Sequence, residues 1–187
     1  PMTKDLLSVR SDDEFNLAID NLLADGLDKL ERNKKHFTSL QEEGLTAVLA
    51  GNIGSSEVSA ICEANSNGHV DLTIRINHLP QHRVCLGEAK LWKGNKYHAD
   101  GVEQLLKRYS TGRECRGFVV SYVRIPNISG KFGELRKYLE QAKPYALQPP
   151  CEDHSLSWSF RSRHQHSSGE VVQVSHLGCN LYVEEGS

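Results

Sequence analysis

Two stretches near the start of the chain repeat apolar residues at the three- and four-residue spacing of a helix. The first covers residues 12–31, where Ser11 or Asp12 is placed to cap the opening turn. The second covers residues 39–50 and is followed by Gly51, a residue type that commonly ends helices. The pattern therefore predicts two amphipathic helices before any strand.

Three later segments carry the apolar patterns of strands. Residues 57–76 alternate apolar and polar side chains around Asn-Ser-Asn-Gly at 65–68, which predicts a hairpin whose second arm is 70–76. Residues 84–92 and 117–123 are almost continuously apolar, as in strands buried on both faces of a sheet. The centre of the chain is therefore predicted to contain four strands.

Two helices are predicted among these strands. Residues 99–109 place apolar side chains at helical spacing, and the segment 130–145 contains a helix that stops before Pro144. The order strand, strand, helix, strand, helix predicts an α/β fold with a mixed central β-sheet flanked by helices. Two final strands around the polar turn 164–170 predict a C-terminal β-hairpin added to this core.

The length of 187 residues suits a single domain and is too short for two of ordinary size. We divide it into an N-terminal helical extension, a core and a C-terminal hairpin, at residues 1–38, 39–146 and 147–187. No segment approaches the ~20 apolar residues that span a bilayer. Because five widely spread cysteines are an odd number and no secretory signal opens the chain, we expect a reducing cytoplasm.

The charges are unevenly distributed, although the formal net charge is only −2. Residues 1–43 carry ten acidic against six basic side chains, whereas residues 90–116 carry seven basic against three acidic. Because the overall field would not attract a polyanion, any nucleic-acid binding must come from a local patch. The segment 90–116 is the candidate patch, although such clusters are often only solvated surface charges.

The candidate chemistry lies on the predicted strand 84–92. Successive side chains of a strand point to opposite faces, so Glu88 and Lys90 project to the same side. Asp71 begins the preceding strand and would meet Glu88 if the two strands are neighbours. Two carboxylates that close together stay ionised only with a cation between them, and Mg²⁺ suits such a site.

A structural explanation competes with this functional one. An acid and a lysine two positions apart can form a surface pair worth little energy, and a Glu-x-Lys triplet alone favours that explanation. Its context favours a functional site instead. An aspartate lies 17 positions earlier, and a basic, glycine-containing loop and an amphipathic helix follow.

The segments HVDLTIRI, GEAKLWKGNKYHADGVEQLLKRY and GFVVSYV resemble the core of the PD-(D/E)xK, or restriction-endonuclease-like, phosphodiesterase superfamily. The resemblance is to the branch with a Glu-Ala-Lys variant found among bacterial defence-associated nucleases. It covers roughly residues 39–123. It implies an αβββαβ core that hydrolyses phosphodiester bonds with Mg²⁺, or with Mn²⁺ in its place.

The resemblance also implies roles for individual residues. Asp71 and Glu88 would bind the metal, and Lys90 would orient or activate the attacking water. The superfamily often adds a glutamate from the first core helix to the metal site. Glu43 is the better match for this carboxylate, with Glu42 beside it.

A further match lies on the helix after the third strand. Gln104 corresponds to a glutamine that often contacts the site or the substrate in the superfamily. The related pattern Gln-x-x-x-Tyr fails by one residue, because Tyr109 follows Gln104 by five positions, and we expect Tyr109 to be part of the core. His98 either flanks the site or simply lies near the start of its helix.

Two other sets of residues are candidates for binding. Contacts to DNA phosphates, the salt-sensitive and sequence-independent part of binding, would come from Lys93, Lys96, Lys107 and Arg108. A weaker hypothesis is a structural Zn²⁺ site, because four potential ligands lie at mirrored distances from the turn of the terminal hairpin. These are Cys151, His154, His176 and Cys179.

The leading hypothesis is a cytoplasmic, Mg²⁺-dependent endodeoxyribonuclease of bacterial antiviral defence or restriction, with DNA as its substrate. One alternative is a non-catalytic module of the same fold that binds nucleic acid or a partner protein. Another is a ribonuclease or toxin domain. Cutting both strands of a duplex usually calls for two active sites, which would suit a homodimer.

Overall fold

The computed structural model describes residues 6–62, 70–80, 83–114 and 116–184. Helix α1 (Asp12–Arg32) begins as predicted, because the Ser11 hydroxyl accepts from the backbone N–H of Glu14 and the Glu14 carboxylate accepts from that of Ser11.

Helix α2 (Glu42–Ile53) differs from the prediction at both ends. It begins three residues later than expected and continues through Gly51, so the prediction that Gly51 ends it was wrong. The backbone N–H of Gly54 instead bonds to the carbonyl of Ala50 and closes the last turn. A side chain at Gly51 would meet no neighbour, so this glycine is an exposed helix position.

The strands form one seven-stranded mixed sheet, in the order β1-β2-β3-β4-β7-β6-β5. They are β1 (Val58–Cys62), β2 (Leu72–Ile76), β3 (Val84–Leu91), β4 (Arg116–Val123), β5 (Leu147–Asp153), β6 (Phe160–Gln165) and β7 (Val171–Asn180). Strand β4 pairs parallel with β3 and β7, and all other neighbours are antiparallel. The predicted α/β fold with a mixed sheet is confirmed. The turn expected at 65–68 lies outside the described residues.

Helices cover both faces of the sheet. Helices α1 and α2 pack on one face, against alternate residues of β4 such as Phe118 and Val120. Helices α3 (Asn95–Gln104) and α4 (Ile128–Ala142) pack on the other, and a π-helical turn over Leu105–Tyr109 continues α3. No helix in the described part of the chain is long and apolar enough to cross a membrane.

The C-terminal strands are part of the sheet and not an appendage to it. Strands β6 and β7 form the predicted antiparallel hairpin, but β7 pairs along its length with β4 and β5 adds a further strand at the edge. Burial explains the placement, since Val174, Leu177 and Cys179 are fully buried. The predicted C-terminal hairpin is therefore present and continues the central sheet, whereas β5 is a strand that the sequence did not predict.

Candidate functional site

The candidate site lies where β2 and β3 separate. Pairing between these neighbouring strands ends at Leu72 and Gly87, and beyond that point β3 has no strand partner on that side among the described residues. The backbone N–H of Ala89 then donates to Asp71 Oδ2 at 2.8 Å. Asp71 thus replaces β2 as the partner of β3 at the first position beyond the paired segment.

Helix α2 supplies a second carboxylate to the same edge. The backbone N–H of Leu91 donates to Glu42 Oε2 at 2.5 Å. Burial and the charge of Asp71 raise the pKa of Glu42, while the Leu91 N–H and Lys90 oppose the shift. Glu43, by contrast, is exposed and accepts no bond from β3 within the described residues, so the geometry favours Glu42 over Glu43 as the helix carboxylate.

Glu88 and Lys90 lie on the α3 face of β3, as the alternation predicted, since they align with Val119 and Ser121 of β4. Both are buried, with 2% and 8% of their surfaces exposed. Lys90 Nζ donates to Glu88 Oε1 at 2.5 Å, whereas Glu88 Oε2 is buried without a partner among the described residues.

The electrostatics of the site are unbalanced. Burial, followed by the negative charge of Asp71, raises the pKa of Glu88 to about 7, although Lys90 works against the shift. Burial would lower the pKa of Lys90, but its bond to Glu88 and the charges of Glu42 and Asp71 raise it instead. Three carboxylates share one lysine, so the cluster would be stabilised by a second positive charge.

A hard divalent cation fits these donors by chemistry. Asp71, Glu88 and Glu42 each use one oxygen on a strand N–H or on Lys90, which leaves a second carboxylate oxygen on each side chain. Mg²⁺ needs only one or two carboxylates and fills its shell with water and phosphate oxygens. Across the described ranges, no three His, Cys, Asp or Glu side chains form a ready-made metal cluster.

Two more polar side chains lie at the end of α3 and in the turn that continues it. Gln104 Oε1 is buried and has no partner among the described residues. Burial, followed by the charges of Glu88 and Asp71, raises the pKa of Tyr109. The π-helical turn accommodates one extra residue before Tyr109, through its i→i+5 bond from Ser110 N–H to the Leu105 carbonyl.

Tyr109 is also partly buried against the apolar cluster beneath α3, as expected from the sequence. The effect of the two carboxylates on its pKa was not foreseen. The available signal was the spacing itself, because a π-helical turn adds one residue to the separation of Gln104 and Tyr109.

Two glycines let backbone and helix approach the site closely. A Cβ built on Gly87 would lie 2.1 Å from the Phe118 ring, so the residue before Glu88 has no room for a side chain. A Cβ on Gly101 of α3 would lie 3.3 Å from Glu88 Cγ and 3.4 Å from Lys90 Cε. Helix α3 thus forms a close cover over the Glu88–Lys90 pair.

The four basic residues predicted to bind phosphates differ in how far they are paired. Lys96 and Lys107 form exposed ion pairs with Asp100 and Glu103, at 2.9 and 2.6 Å. Lys93 Nζ lies 4.7 Å from the centre of the Tyr97 ring. Arg108 is exposed and has no side-chain partner within the described residues. Lys93 and Arg108 are therefore the cations most available to an anion.

Arg116, counted in the basic segment, does not face solvent. It is 1% exposed, and its guanidinium donates to Asp20 Oδ1 at 2.6 Å, to Ser175 Oγ and to the Asn16 carbonyl. Arg161 pairs with the other oxygen of Asp20 at 2.7 Å. This ion cluster ties α1 to the face of the sheet opposite Glu88 and Lys90, so Arg116 is not part of an anion-binding patch beside them.

The four potential zinc ligands do not meet. His176 bonds to His98 and Ser162 on the α3 face of β7, whereas Cys179 packs in the apolar cluster on the opposite face. Cys151 packs in a second cluster beside α4. His154 Nε2 lies 3.3 Å from Asp20 Oδ1. The separation by faces follows from the odd spacing of His176 and Cys179 along one strand.

Comparisons with protein families, curated proteins and solved structures found no match to this chain.

Proposed function

We propose that this protein is a metal-dependent nuclease that hydrolyses phosphodiester bonds in DNA with Mg²⁺. The observation that carries the proposal is the state of Glu88. It is buried, one of its oxygens lacks a partner among the described residues, and its pKa is raised to about 7 beside Asp71. A folded protein maintains such an unbalanced carboxylate at a cost, and strongly shifted carboxylates cluster at functional sites.

The proposed roles follow from the positions of the side chains. Asp71, Glu88 and Glu42 would hold the ion, which when bound would polarise the phosphodiester and lower the pKa of a water molecule. The Lys90 ammonium, held against Glu88 Oε1, would stabilise negative charge that develops on the phosphate. Gln104, with its unpartnered buried oxygen, would orient the water or the substrate.

DNA is proposed as the substrate on two grounds. Lys93, just before α3, and Arg108, within the π-helical turn that continues α3, are cations available to bind phosphates beside the helix that covers the site. The resemblance to the PD-(D/E)xK superfamily, carried by the Glu-Ala-Lys segment, supports the same substrate and a role in bacterial defence or restriction.

The experiment is cleavage of plasmid and linear DNA by the purified full chain with and without Mg²⁺. Glu88→Gln and Lys90→Met should each lower the rate at least about a hundredfold, because each removes a charge from the reacting centre. Glu43→Gln is the matched control and should cut at close to the wild-type rate. Equal cleavage by all four proteins would exclude the proposal, provided that circular dichroism shows each is folded.

One observation favours a non-catalytic module of the same fold. The Glu88–Lys90 pair neutralises its two charges internally, as a structural pair would. A substrate panel of duplex DNA, single-stranded DNA and RNA decides between the candidates. Binding without Mg²⁺-dependent hydrolysis of any of them would favour the module, and cleavage of RNA alone would favour a ribonuclease.

A further inference from the structure

An unbroken chain of hydrogen bonds runs through the interior between β4 and the segment before β5. Its members, in order, are Ser121, His98, His176, Ser162, His164 and the carbonyl of Tyr145. The successive distances are 2.8, 2.9, 2.7, 2.7 and 3.0 Å. All five side chains are buried, with exposed fractions of 1% or less.

The carbonyl at one end fixes the direction of the chain. The Tyr145 oxygen only accepts, so His164 Nδ1 must carry a proton. Burial lowers the pKa of His164, which keeps the ring neutral and makes its Nε2 an acceptor. Ser162 therefore donates its hydroxyl proton to His164. The Ser162 oxygen is then left to accept from the next ring.

The same logic continues to the other end. His176 Nε2 donates to Ser162, so His176 Nδ1 accepts from His98 Nε2. His98 Nδ1 then accepts from the hydroxyl of Ser121. Burial, with smaller charge effects, lowers the pKa of His98 to about 3 and that of His176 well below its usual range, so both rings are neutral. One set of tautomers satisfies every donor and acceptor in the chain.

Tyr145, whose carbonyl ends the chain, also contacts α3 through its side chain. The Tyr145 hydroxyl donates to Glu103 Oε2 at 3.3 Å, and Glu103 lies five residues after His98 on the same helix. Helix α3 is therefore fastened at two points to the β6–β7 hairpin and the turn at Tyr145. Gly101, which covers Glu88 and Lys90, lies between the two points.

We propose that this chain of hydrogen bonds, together with the Tyr145–Glu103 bond, is a positioning device that holds α3 at a fixed height over the Glu88–Lys90 pair, so that β6 and β7 influence the reaction centre through α3. The inference rests on the proposed function. Ser162 and the three histidines are positioning residues, since they act through α3 and do not face the carboxylates. Breaking one bond leaves buried imidazoles unsatisfied, which the fold relieves by letting α3 move.

Ser162→Ala is the variant that breaks the chain with the least change of volume. It removes the donor to His164 and the acceptor for His176 together. Ser175→Ala is the matched control, because Ser175 is equally buried on the neighbouring strand but faces the opposite side, where it bonds to Arg116. Both variants lose a buried hydroxyl, and only the first touches the chain.

In DNA cleavage with Mg²⁺, we expect Ser162→Ala to lower kcat about tenfold with KM nearly unchanged, because misplaced reacting groups lose rate and phosphate contacts lie elsewhere. Ser175→Ala should keep the wild-type kcat. Tyr145→Phe removes only the bond to Glu103, near the surface, and should lower kcat severalfold even if Ser162→Ala fails to fold. Equal kcat values for wild type, Ser162→Ala and Tyr145→Phe would overturn the proposal.

A second readout does not depend on cleavage. Hydrogen exchange of the amides in residues 95–104 should accelerate in Ser162→Ala and stay unchanged in Ser175→Ala. Nitrogen chemical shifts should report His98 and His176 protonated on Nε2 and His164 on Nδ1. If wild type cuts no substrate but these readouts hold, the proposed function fails and the fastening of α3 stands. Unchanged exchange in α3, or other tautomers, would overturn the positioning device itself.

Discussion

Two buried carboxylates on opposite faces of the sheet, Asp20 and Glu88, differ in the positive charge that surrounds them. Both oxygens of Asp20 are paired with an arginine, Oδ1 with Arg116 and Oδ2 with Arg161. Glu88 has one oxygen on Lys90 and the other without a partner among the described residues. Both residues are carboxylic acids, but positive charge surrounds Asp20 on both oxygens and Glu88 on only one.

The pKa values of the two acids are therefore shifted in opposite directions. Burial works to raise the pKa of both acids. The contact with His154 and the charge of Arg116 override it for Asp20 and hold that pKa well below its usual range. For Glu88 the charge of Asp71 adds to burial and the pKa rises to about 7. The fully paired carboxylate of Asp20 holds α1 against the sheet, whereas the incompletely paired carboxylate of Glu88 is the place where we propose that a cation binds.

Breaking the matched cluster should give the largest change in stability. Arg116→Met removes the buried guanidinium and leaves the Asp20 carboxylate in the interior with weaker partners. We expect the free energy of unfolding to fall by about 3 kcal/mol or more, as for other buried pairs that lose one member. Urea denaturation at pH 7 measures the loss, and DNA cleavage per folded molecule should remain unchanged.

Arg161→Met is the control for that prediction, because its more exposed side chain binds the same carboxylate. It should cost about 1 kcal/mol or less. If both variants lose the same free energy of unfolding, the burial of Arg116 does not explain how strongly the cluster stabilises the fold.

Removing the incompletely paired charge of Glu88 should raise the free energy of unfolding, whereas removing Arg116 should lower it. A carboxylate whose folded pKa is raised binds protons in the native state between about pH 4.5 and 7, so its contribution to stability declines as pH rises through that window. Glu88→Gln should therefore match wild type near pH 4.5 and be more stable above pH 7, by about 1 kcal/mol or more. Unfolding curves at pH 5 and pH 8 test this.

A divalent cation should reverse the order of stability that we expect for Glu88→Gln and wild type above pH 7. Ca²⁺, a hard cation that also binds carboxylates, should raise the midpoint of thermal unfolding of the wild type and raise that of Glu88→Gln much less. A Glu88→Gln variant that is less stable than wild type at pH 8 would show that Lys90 matches Glu88 as fully as the arginines match Asp20.

Local patterns were enough to predict much of the fold and part of the site. The Ser11 cap, the two apolar strands and the shared face of Glu88 and Lys90 all depend on spacings of a few residues, which the sequence displays directly. The central order of elements followed from the same short-range signals. The contact between Asp71 and β3 could be predicted by assuming only that the consecutive strands β2 and β3 pair, and these strands are paired in the structure.

The rest depends on contacts between distant segments. The pairing of β7 with β4 joins residues more than fifty positions apart, and no local pattern distinguishes it from an added hairpin. The histidine and serine chain is scattered over four elements and a loop. The π-helical turn at 105–109 shows only as one extra residue in a spacing, which by itself indicated a failed match.

The smallest expected effect concerns the two adjacent glutamates of α2, whose roles depend on where that helix begins. Because α2 starts at Glu42, that side chain reaches Leu91 N–H and Glu43 turns to solvent. Glu42→Gln keeps an acceptor for Leu91 and removes one charge from the unmatched cluster. The affinity for Mg²⁺, measured by calorimetry or by the Mg²⁺ dependence of cleavage, should fall severalfold to about tenfold, or roughly 1 kcal/mol. Glu43→Gln, one position away on the same turn, should leave it unchanged. The reverse result would place Glu43 at the ion and show that β3 is capped by Glu42 for structural reasons alone.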